Sequence, residues 1–153
     1  MLRVGIIGFG PRGLSILERL VSKKLGQIIN DKLEIYIFDP NSLGSGCHSP
    51  KQSSRLLVNT VASQMTIFAD ETICSNEFFI KGPNFYEFLL SRGYKADKNG
   101  YYSRVLLGKY LEHSFQCILN SVLKIHLYIL SKNCTMHYST RKIFYHFWRK
   151  YKN

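Results

Sequence analysis

Three glycines near the N-terminus have the spacing of a phosphate-binding turn. Gly8, Gly10 and Gly13 form the pattern G-x-G-x-x-G. The first glycine permits a tight turn, the second lets a pyrophosphate approach the backbone, and the third lets a helix pack closely on a sheet. Pro11 suits the first position of a helix, whose N-terminal N–H groups attract anions. Arg12 either adds positive charge beside the phosphates or points into solvent.

A carboxylate follows the next apolar segment. Asp39 lies 26 residues beyond Gly13, somewhat further than the roughly 20 residues usual in dinucleotide-binding folds. At this position a carboxylate accepts hydrogen bonds from ribose hydroxyls and repels a 2′-phosphate. The glycine turn and this acid together predict a dinucleotide site. The alternative is a structural glycine turn in an α/β protein that binds no nucleotide.

The elements that position these residues form a βαβ unit. Residues 2–7 and 33–38 are nearly continuous apolar runs, which is typical of strands in a buried parallel sheet. Between them, residues 14–24 repeat leucine at helical spacing and end with two lysines before Gly26. The order of strand, glycine turn, helix, strand and acid predicts an α/β, Rossmann-like, three-layer fold.

The middle of the chain is less regular, and residues 59–70 give no clear pattern. Ser103 is a suitable N-cap for the second strong helix. In chain order, the pattern predicts a loop over 41–54, a short strand over 56–58, a short helix over 83–91, a long helix over 103–122 and a strand over 125–129.

The overall composition excludes several classes of protein. The 153 residues are 45% hydrophobic and 20% charged, which suits a folded domain and excludes intrinsic disorder. The chain has no run of 18 apolar residues that would predict a membrane span, and its N-terminus does not resemble a secretion signal. We therefore expect a cytoplasmic protein with free thiols.

The formal charge of +11 is concentrated at the C-terminal end of the chain. Residues 124–153 contain seven basic residues and no acid. Within them, the tail 131–153 mixes cations with aromatic rings, a composition found in segments that bind nucleic acids or anionic membranes. A short tail lacks a preformed platform for base stacking, so nucleic-acid binding is disfavoured. We interpret the tail as a packing or non-selected segment.

The sequence offers no evident side-chain catalyst. The four cysteines lie at least 17 residues apart without a CxxC pair, and the five histidines show no metal-ligand spacing. We therefore predict no metal site. Cys47 and His48 are adjacent, so we expect their side chains to diverge and not to form a nucleophilic pair. Half-buried or surface structural roles are expected for the histidines, and the catalytic residues stay unassigned.

Four blocks of the sequence make a more specific pattern than the glycine turn alone. They are residues 4–20, the Phe-Asp-Pro of 38–40 with the Gly-Ser-Gly of 44–46, residues 56–66 and residues 103–111. In this order they resemble a bacterial FAD/NAD(P)-binding protein family related to flavin-dependent N-hydroxylating monooxygenases. The similarity extends over residues 1 to about 120.

The resemblance implies FAD as the bound dinucleotide and NAD(P)H as the electron donor. It places the diphosphate at the glycine turn, the adenosine ribose at Asp39 and the flavin near Asn59 or Gln64. For these two amides, hydrogen bonding within their own loop is the alternative. Arg104 contacts either a phosphate or the edge of the flavin ring. The alternative is that it caps a helix. Because a flavin performs the redox chemistry itself, a separate side-chain catalyst is not required.

The chain also departs from this family. Members are several hundred residues long, with a second nucleotide site and a substrate region, whereas this sequence has no second glycine-rich turn and stops matching after about Ile129. We therefore expect a truncated member, with an FAD/NAD(P)-binding domain over 1–130 and an unassigned tail over 131–153. The expected function is FAD binding for an NAD(P)H-linked flavin oxidoreductase or monooxygenase. The alternatives are an inactive nucleotide-binding remnant and a small basic interaction protein.

Overall fold

Alternating strands and helices run through the chain. The computed structural model describes residues 1–40, 43–73, 77–121, 125–130, 135–139 and 142–146. Some predictions concern residues outside these ranges, namely Cys74, Val122 and Cys134. The elements are β1 (Leu2–Ile7), α1 (Pro11–Leu25), β2 (Leu33–Phe38), a short 3₁₀ helix (Ala62–Gln64), α2 (Phe85–Ser91), α3 (Arg104–Ser121), β3 (His126–Leu130), β4 (Thr135–Ser139) and β5 (Lys142–His146).

The strands form one mixed sheet in the order β1-β2-β3-β4-β5. The first three strands are parallel, with Val4 paired to Ile35 and Ile35 paired to Leu127. β4 and β5 continue the sheet as antiparallel strands. The parallel βαβ start confirms the predicted α/β class. The three parallel strands make an incomplete Rossmann-like sheet.

One face of the sheet packs against the helices. Ile6, Ile35, Ile37 and Leu127 are buried on this face, and they share a single core cluster with residues of all three described helices. α1 contributes leucines at the spacing that the sequence predicts, with Leu14 and Leu17 fully buried. The core therefore lies between this sheet face and one layer of helices.

The other face of the sheet is more open in the described part of the chain. Tyr36 stacks on Tyr128 with ring centroids 4.5 Å apart, and Arg3 pairs with Glu34 at 3.0 Å. Ile7 is 89% exposed because β1 lies at the sheet edge and its outward side chains point away from the described helices. The prediction of a buried first strand is therefore correct for one face and wrong for the other.

Helix α1 begins earlier than its leucine pattern predicts. It starts at Pro11, with Gly10 as the N-cap, which confirms proline at the first helical position. It ends after Lys23 and Lys24, as predicted, and Gly26 is the C-cap. These limits put the helix N-terminus directly at the glycine turn.

The segments between β2 and β3 correct one prediction and confirm two. Residues 56–58 form no strand, because Leu57 makes only an isolated bridge to Ser103. The two predicted helices are present as α2 and α3, and Ser103 Oγ accepts from the Leu106 N–H at 3.4 Å, as an N-cap should. No helix within the described ranges has the length and apolar character needed to cross a membrane.

The C-terminal region contains structure where the sequence predicted no element. β4 and β5 both fall within the 131–153 tail and pair with one another, while β4 pairs with β3. β4 satisfies backbone groups along the edge of β3, and β5 does the same along the edge of β4. The boundary at residue 130 between domain and tail stays a prediction.

Candidate functional site

The first glycine of the motif is required by backbone conformation. Gly8 has φ +82°, in the left-handed region, and its N–H donates to Phe38 O at 2.9 Å. A Cβ at this position would meet no atom within 4 Å. The strand β1 therefore turns sharply beside the end of β2, and the space next to the turn is open.

The third glycine of the motif is required by packing. A Cβ at Gly13 would lie 2.7 Å from Gly8 O and 3.2 Å from Ile6 Cγ2. Only a residue without a side chain lets the first turn of α1 approach β1 this closely, which is the packing role predicted for this glycine.

The second glycine packs against another loop. A Cβ at Gly10 would lie 3.3 Å from Gly46 Cα, and a Cβ at Gly46 would lie 2.8 Å from Gly10 Cα. Gly44 joins this contact because its N–H donates to Phe9 O at 2.8 Å. The segment 43–48, here the glycine-rich loop, therefore covers one side of the glycine turn. The approach of a pyrophosphate to Gly10 stays a prediction.

Asp39, which follows β2, hydrogen-bonds the backbone of the glycine turn. The side chain is 8% exposed, and its Oδ2 accepts from the Phe9 N–H at 2.6 Å. A charge-assisted bond of this kind fixes the turn relative to the sheet. The structure thus brings the predicted acid to the predicted turn, while its role toward a ribose stays a prediction.

The glycine-rich loop is also held against helix α3. A Cβ at Gly108 would overlap His48 O, and a Cβ at Gly44 would lie 3.1 Å from Leu111 O. The backbone of the loop therefore rests directly on the helix. The His48 N–H donates to Ser45 O at 2.9 Å, which closes a tight turn.

A cavity of about 280 Å³ lies where the glycine turn, the glycine-rich loop and α3 meet. Its lining includes Pro11 from the start of α1, His48 from the loop and Gln64 from the 3₁₀ helix. Leu107 and Tyr110 are among the residues of α3 that line it. Ligand pockets are commonly about 300–1,000 Å³, so this cavity suits part of a dinucleotide.

Two buried polar atoms of the glycine-rich loop have no hydrogen-bond partner among the described residues. They are Ser45 Oγ, in a fully buried residue, and His48 Nδ1. Burial lowers the pKa of His48 below its ordinary value, and the nearby positive charge of Arg104 lowers it further. Buried polar groups in native proteins are nearly always paired, so these two atoms are exceptions among the described residues.

Tyr110 fixes the segment on the far side of the cavity. Its hydroxyl accepts from the Ile67 N–H at 3.1 Å and donates to Pro83 O at 2.9 Å. The ring is 1% exposed, and burial raises the pKa of this hydroxyl. The hydroxyl therefore stays protonated and holds residues 65–67, which follow Gln64, next to α3.

The predicted site residues are only partly brought together. Gln64 lines the same cavity as Pro11, whereas Asn59 is exposed and is not among the described residues that line it. Arg104 donates from Nε to Leu57 O at 3.2 Å, and its charge reaches His48. Arg12 is exposed at the first turn of α1.

Sequence reasoning missed Ser45 and His48 as site residues. The Gly-Ser-Gly pattern around Ser45 was a usable signal, because two glycines so close together often indicate backbone contacts. No sequence signal showed that His48 would have a buried ring nitrogen, since this depends on the contact between its carbonyl and Gly108 in α3.

The start of α1 fits a phosphate group. Its N-cap Gly10 makes no side-chain capping bond, and the first turn contains no acidic residue. Backbone N–H groups and the helix dipole therefore favour an anion at this end. This chemistry suits the diphosphate of a dinucleotide.

A larger cavity of about 680 Å³ lies on the other side of residues 66–72. Its acidic lining residues are partly engaged in local structure: Asp70 accepts from the Thr72 N–H, and Glu87 completes the capping box at Asn84. Within the described ranges, no group of three or more His, Cys, Asp or Glu side chains is arranged to hold a metal ion.

Comparison with known proteins assigns the family. A model described as FAD-NAD(P)-binding matches residues 5–141. The chain belongs to this family. The match includes the glycine turn, Asp39 and the cavity residues, so this chain is an FAD/NAD(P)-binding domain, as the sequence predicted.

The names of three curated relatives refer to nitrosuccinic acid or to the N-oxygenation of L-aspartate. A nitrosuccinic acid synthase from Aspergillus oryzae is 33% identical over 120 residues, which is 77% of this chain and 18% of that protein. Two proteins named L-aspartate N-monooxygenase (nitrosuccinate-forming) are also similar. The protein from Streptomyces davaonensis is 39% identical over 71 residues, which is 46% of this chain and 11% of that protein. The protein from Streptomyces cremeus is 37% identical over 87 residues, which is 56% of this chain and 13% of that protein.

These relatives confirm the predicted resemblance to flavin N-hydroxylating monooxygenases. The chain spans less than a fifth of the length of each of them. The cofactor class, a flavin or nicotinamide dinucleotide, follows from the family.

Proposed function

We propose that this chain binds FAD and forms the flavin-binding part of an NAD(P)H-linked N-monooxygenase. The observation that carries the proposal is the cavity of about 280 Å³ that joins the start of α1 to Gln64. Pro11 at the start of α1 and Gln64, an amide suited to a flavin ring, thus line one continuous space.

The glycine turn beside the cavity and the lining of the cavity each have a role in this proposal. The N-terminus of α1, with Arg12, receives the diphosphate, and Asp39 receives a ribose from its position beside the turn. Gln64 hydrogen-bonds the flavin ring. When bound, the flavin supplies the electron transfer and oxygen chemistry, and the protein supplies orientation and electrostatics.

The names of the relatives support a substrate class. Two are named for N-oxygenation of L-aspartate, and a third for synthesis of nitrosuccinic acid. We propose that the complete enzyme oxidises the amino nitrogen of a small amino acid. This chain contributes the cofactor site, and the charged groups that recognise the substrate are not assigned to it.

The visible absorption spectrum tests FAD binding. The purified chain is mixed with FAD, separated from free cofactor on a desalting column and scanned. Bound flavin bands near 1:1 support the proposal, and a colourless protein fraction refutes it. The spectrum also separates FAD from NAD(P), which has no visible bands.

Charge at the start of α1 provides a variant test. Arg12→Gln removes a cation beside the proposed diphosphate and should weaken FAD binding by about threefold to tenfold. Arg55→Gln is the matched control, because Arg55 is also exposed but lies in the loop before Leu57. Equal affinity for both variants would refute the phosphate position.

A further inference from the structure

We propose that Tyr110 is a positioning residue for the bound cofactor, because its hydroxyl holds residues 65–67, here the wall segment, against α3. This rests on the proposed FAD site, since the wall segment and Tyr110 both line the cavity of about 280 Å³. The hydroxyl itself does not contact the cofactor in this proposal. It acts on FAD through the backbone of the wall segment.

The Tyr110 hydroxyl joins two stretches of chain that are distant from it in sequence. It accepts a hydrogen bond from the Ile67 N–H at 3.1 Å and donates one to Pro83 O at 2.9 Å. Tyr110 is 1% exposed, and its ring centroid lies 5.5 Å from that of Phe85. A ring packed in this way has little freedom to move, so its hydroxyl is a fixed point for both backbone groups.

The wall segment belongs to no described helix or strand, so individual contacts set its position. At one end, Met65 O accepts from the Phe85 N–H at 2.8 Å, in the first turn of α2. This N–H has no acceptor within the helix, and the wall segment supplies one. At the other end, the Ile67 N–H is bonded by Tyr110. Loss of the Tyr110 hydroxyl therefore releases one of the two ends.

The wall segment also lies between two cavities. Thr66 lines both the cavity of about 280 Å³ and the larger cavity of about 680 Å³. A shift of the wall segment would change the shape of the proposed FAD cavity and its separation from the larger one. Gln64 directly precedes the segment, so the same shift would move the amide proposed to meet the flavin ring. Binding groups must be held within about 0.5 Å of their productive positions, so a small shift is sufficient to weaken binding.

Tyr102 provides a matched control, because its hydroxyl makes the same two kinds of hydrogen bond elsewhere. It accepts from the Asp97 N–H at 2.6 Å and donates to Asp97 O at 3.4 Å. Its ring also packs near Phe85, with centroids 6.0 Å apart. Tyr102 is not among the described residues that line the cavity, and Asp97 is exposed. Loss of either hydroxyl thus deprives one N–H and one carbonyl of a partner, at the wall segment for Tyr110 and in a surface loop for Tyr102.

Equilibrium FAD titrations of the two tyrosine variants test the proposal. Tyr110→Phe should weaken FAD binding about fivefold to tenfold, because the wall segment loses its bond at Ile67. Tyr102→Phe should bind FAD within about twofold of the unchanged chain. Urea denaturation gives the folded fraction of each variant under the titration conditions, and the affinity is calculated for the folded protein alone.

Iodide quenching of the bound flavin's fluorescence gives a readout that a loss of stability alone does not change. It is measured on each variant after saturation with FAD and removal of the excess, so that it reports the surroundings of the bound ring. Tyr110→Phe should make the flavin more accessible to iodide, because a displaced wall segment opens the FAD cavity toward the larger one. Tyr102→Phe should leave the quenching unchanged.

Backbone hydrogen exchange tests the same contact without any substitution, and it decides the question if Tyr110→Phe does not fold. In the unchanged chain, bound FAD should slow exchange at the Ile67 N–H, which lies in the cavity wall. Exchange at the Asp97 N–H, which bonds the Tyr102 hydroxyl, should change little. Equal slowing at the two amides would overturn the proposal.

Failure of the positioning role is distinguishable from failure of the proposed function. If the unchanged chain binds FAD but the two tyrosine variants show equal affinity or equal iodide quenching, the positioning role is wrong while the FAD site stands. If the unchanged chain retains no flavin, the proposed function fails, and the role of Tyr110 toward the cofactor fails with it.

Discussion

Two cysteine–histidine pairs occupy different regions of this molecule. Cys47 and His48 lie in the glycine-rich loop, with an exposed cysteine and a histidine whose Nδ1 is buried and unpaired among the described residues. His113 and Cys117 lie one turn apart on α3, where the imidazole contacts both the thiol and Arg92.

The comparison separates a histidine with an unpaired ring nitrogen from one whose ring nitrogens both have neighbours. In the α3 pair, the chain itself supplies partners for the histidine, so the polar groups are satisfied without a ligand. In the loop pair, the fold holds His48 with its Nδ1 buried and unpaired among the described residues. The residue types and the half-burial of the two histidines are the same, whereas the cysteines differ in exposure and the histidines differ in hydrogen-bond satisfaction.

The largest effect is expected where α3 meets the loop. Gly108→Ala places a methyl group on His48 O, so we expect a loss of about 3 kcal/mol in the free energy of unfolding, and weaker FAD binding. Urea denaturation measures the free energy of unfolding, and titration with FAD measures the binding. Gly5→Ala is the control, since its Cβ would lie an ordinary 3.8 Å from Phe38 Cε2. Equal costs for the two variants would show that the loop does not rest on Gly108.

Tyr110 connects the two regions, because its ring lies 5.6 Å from Phe88, which in turn lies 5.2 Å from His113. Tyr110→Phe leaves the Ile67 N–H and Pro83 O without their partner and should lower the free energy of unfolding by about 1–2 kcal/mol. Tyr101, which is 57% exposed, is the control for loss of a hydroxyl. An unchanged denaturation midpoint for Tyr110→Phe would contradict the bridging role.

Thiol reactivity distinguishes the pairs directly. Cys47 is exposed, whereas burial raises the pKa of the Cys117 thiol, so Cys47 should be alkylated at least about tenfold faster near pH 8. The rates are measured by mass spectrometry in a variant in which Cys74 and Cys134 are serine. A faster reaction at Cys117 would mean that its contact with His113 activates the thiol.

The smallest expected effect is on pH dependence. His48 and His113 both have pKa values below the ordinary 6.5, because burial favours the neutral ring. The unfolded chain therefore takes up protons more readily as the pH falls through about 6.5, and stability decreases below that pH. His113→Asn should reduce this decrease, as followed by urea denaturation from pH 7.5 to 5. A steeper decrease in stability in the variant would contradict a lowered pKa for His113.

The sequence predicted the elements around the site better than the contacts within it. Nearly continuous apolar runs located β1 and β2, and helical periodicity located the long helix, because burial on one helix face repeats at a regular spacing. It failed over 56–58, where local apolar residues make only a bridge to Ser103. The contact of Gly10 with Gly46 and of Gly108 with His48 joins residues far apart in sequence, and no local pattern specifies such packing.

The FAD assignment is tested most directly by calorimetric titration of the unchanged chain with FAD. The account predicts saturable binding with a stoichiometry near 1:1. An absence of heat and of retained flavin at FAD concentrations up to the millimolar range would contradict it. The family membership would then describe the ancestry of this fold and not a cofactor that the chain itself holds.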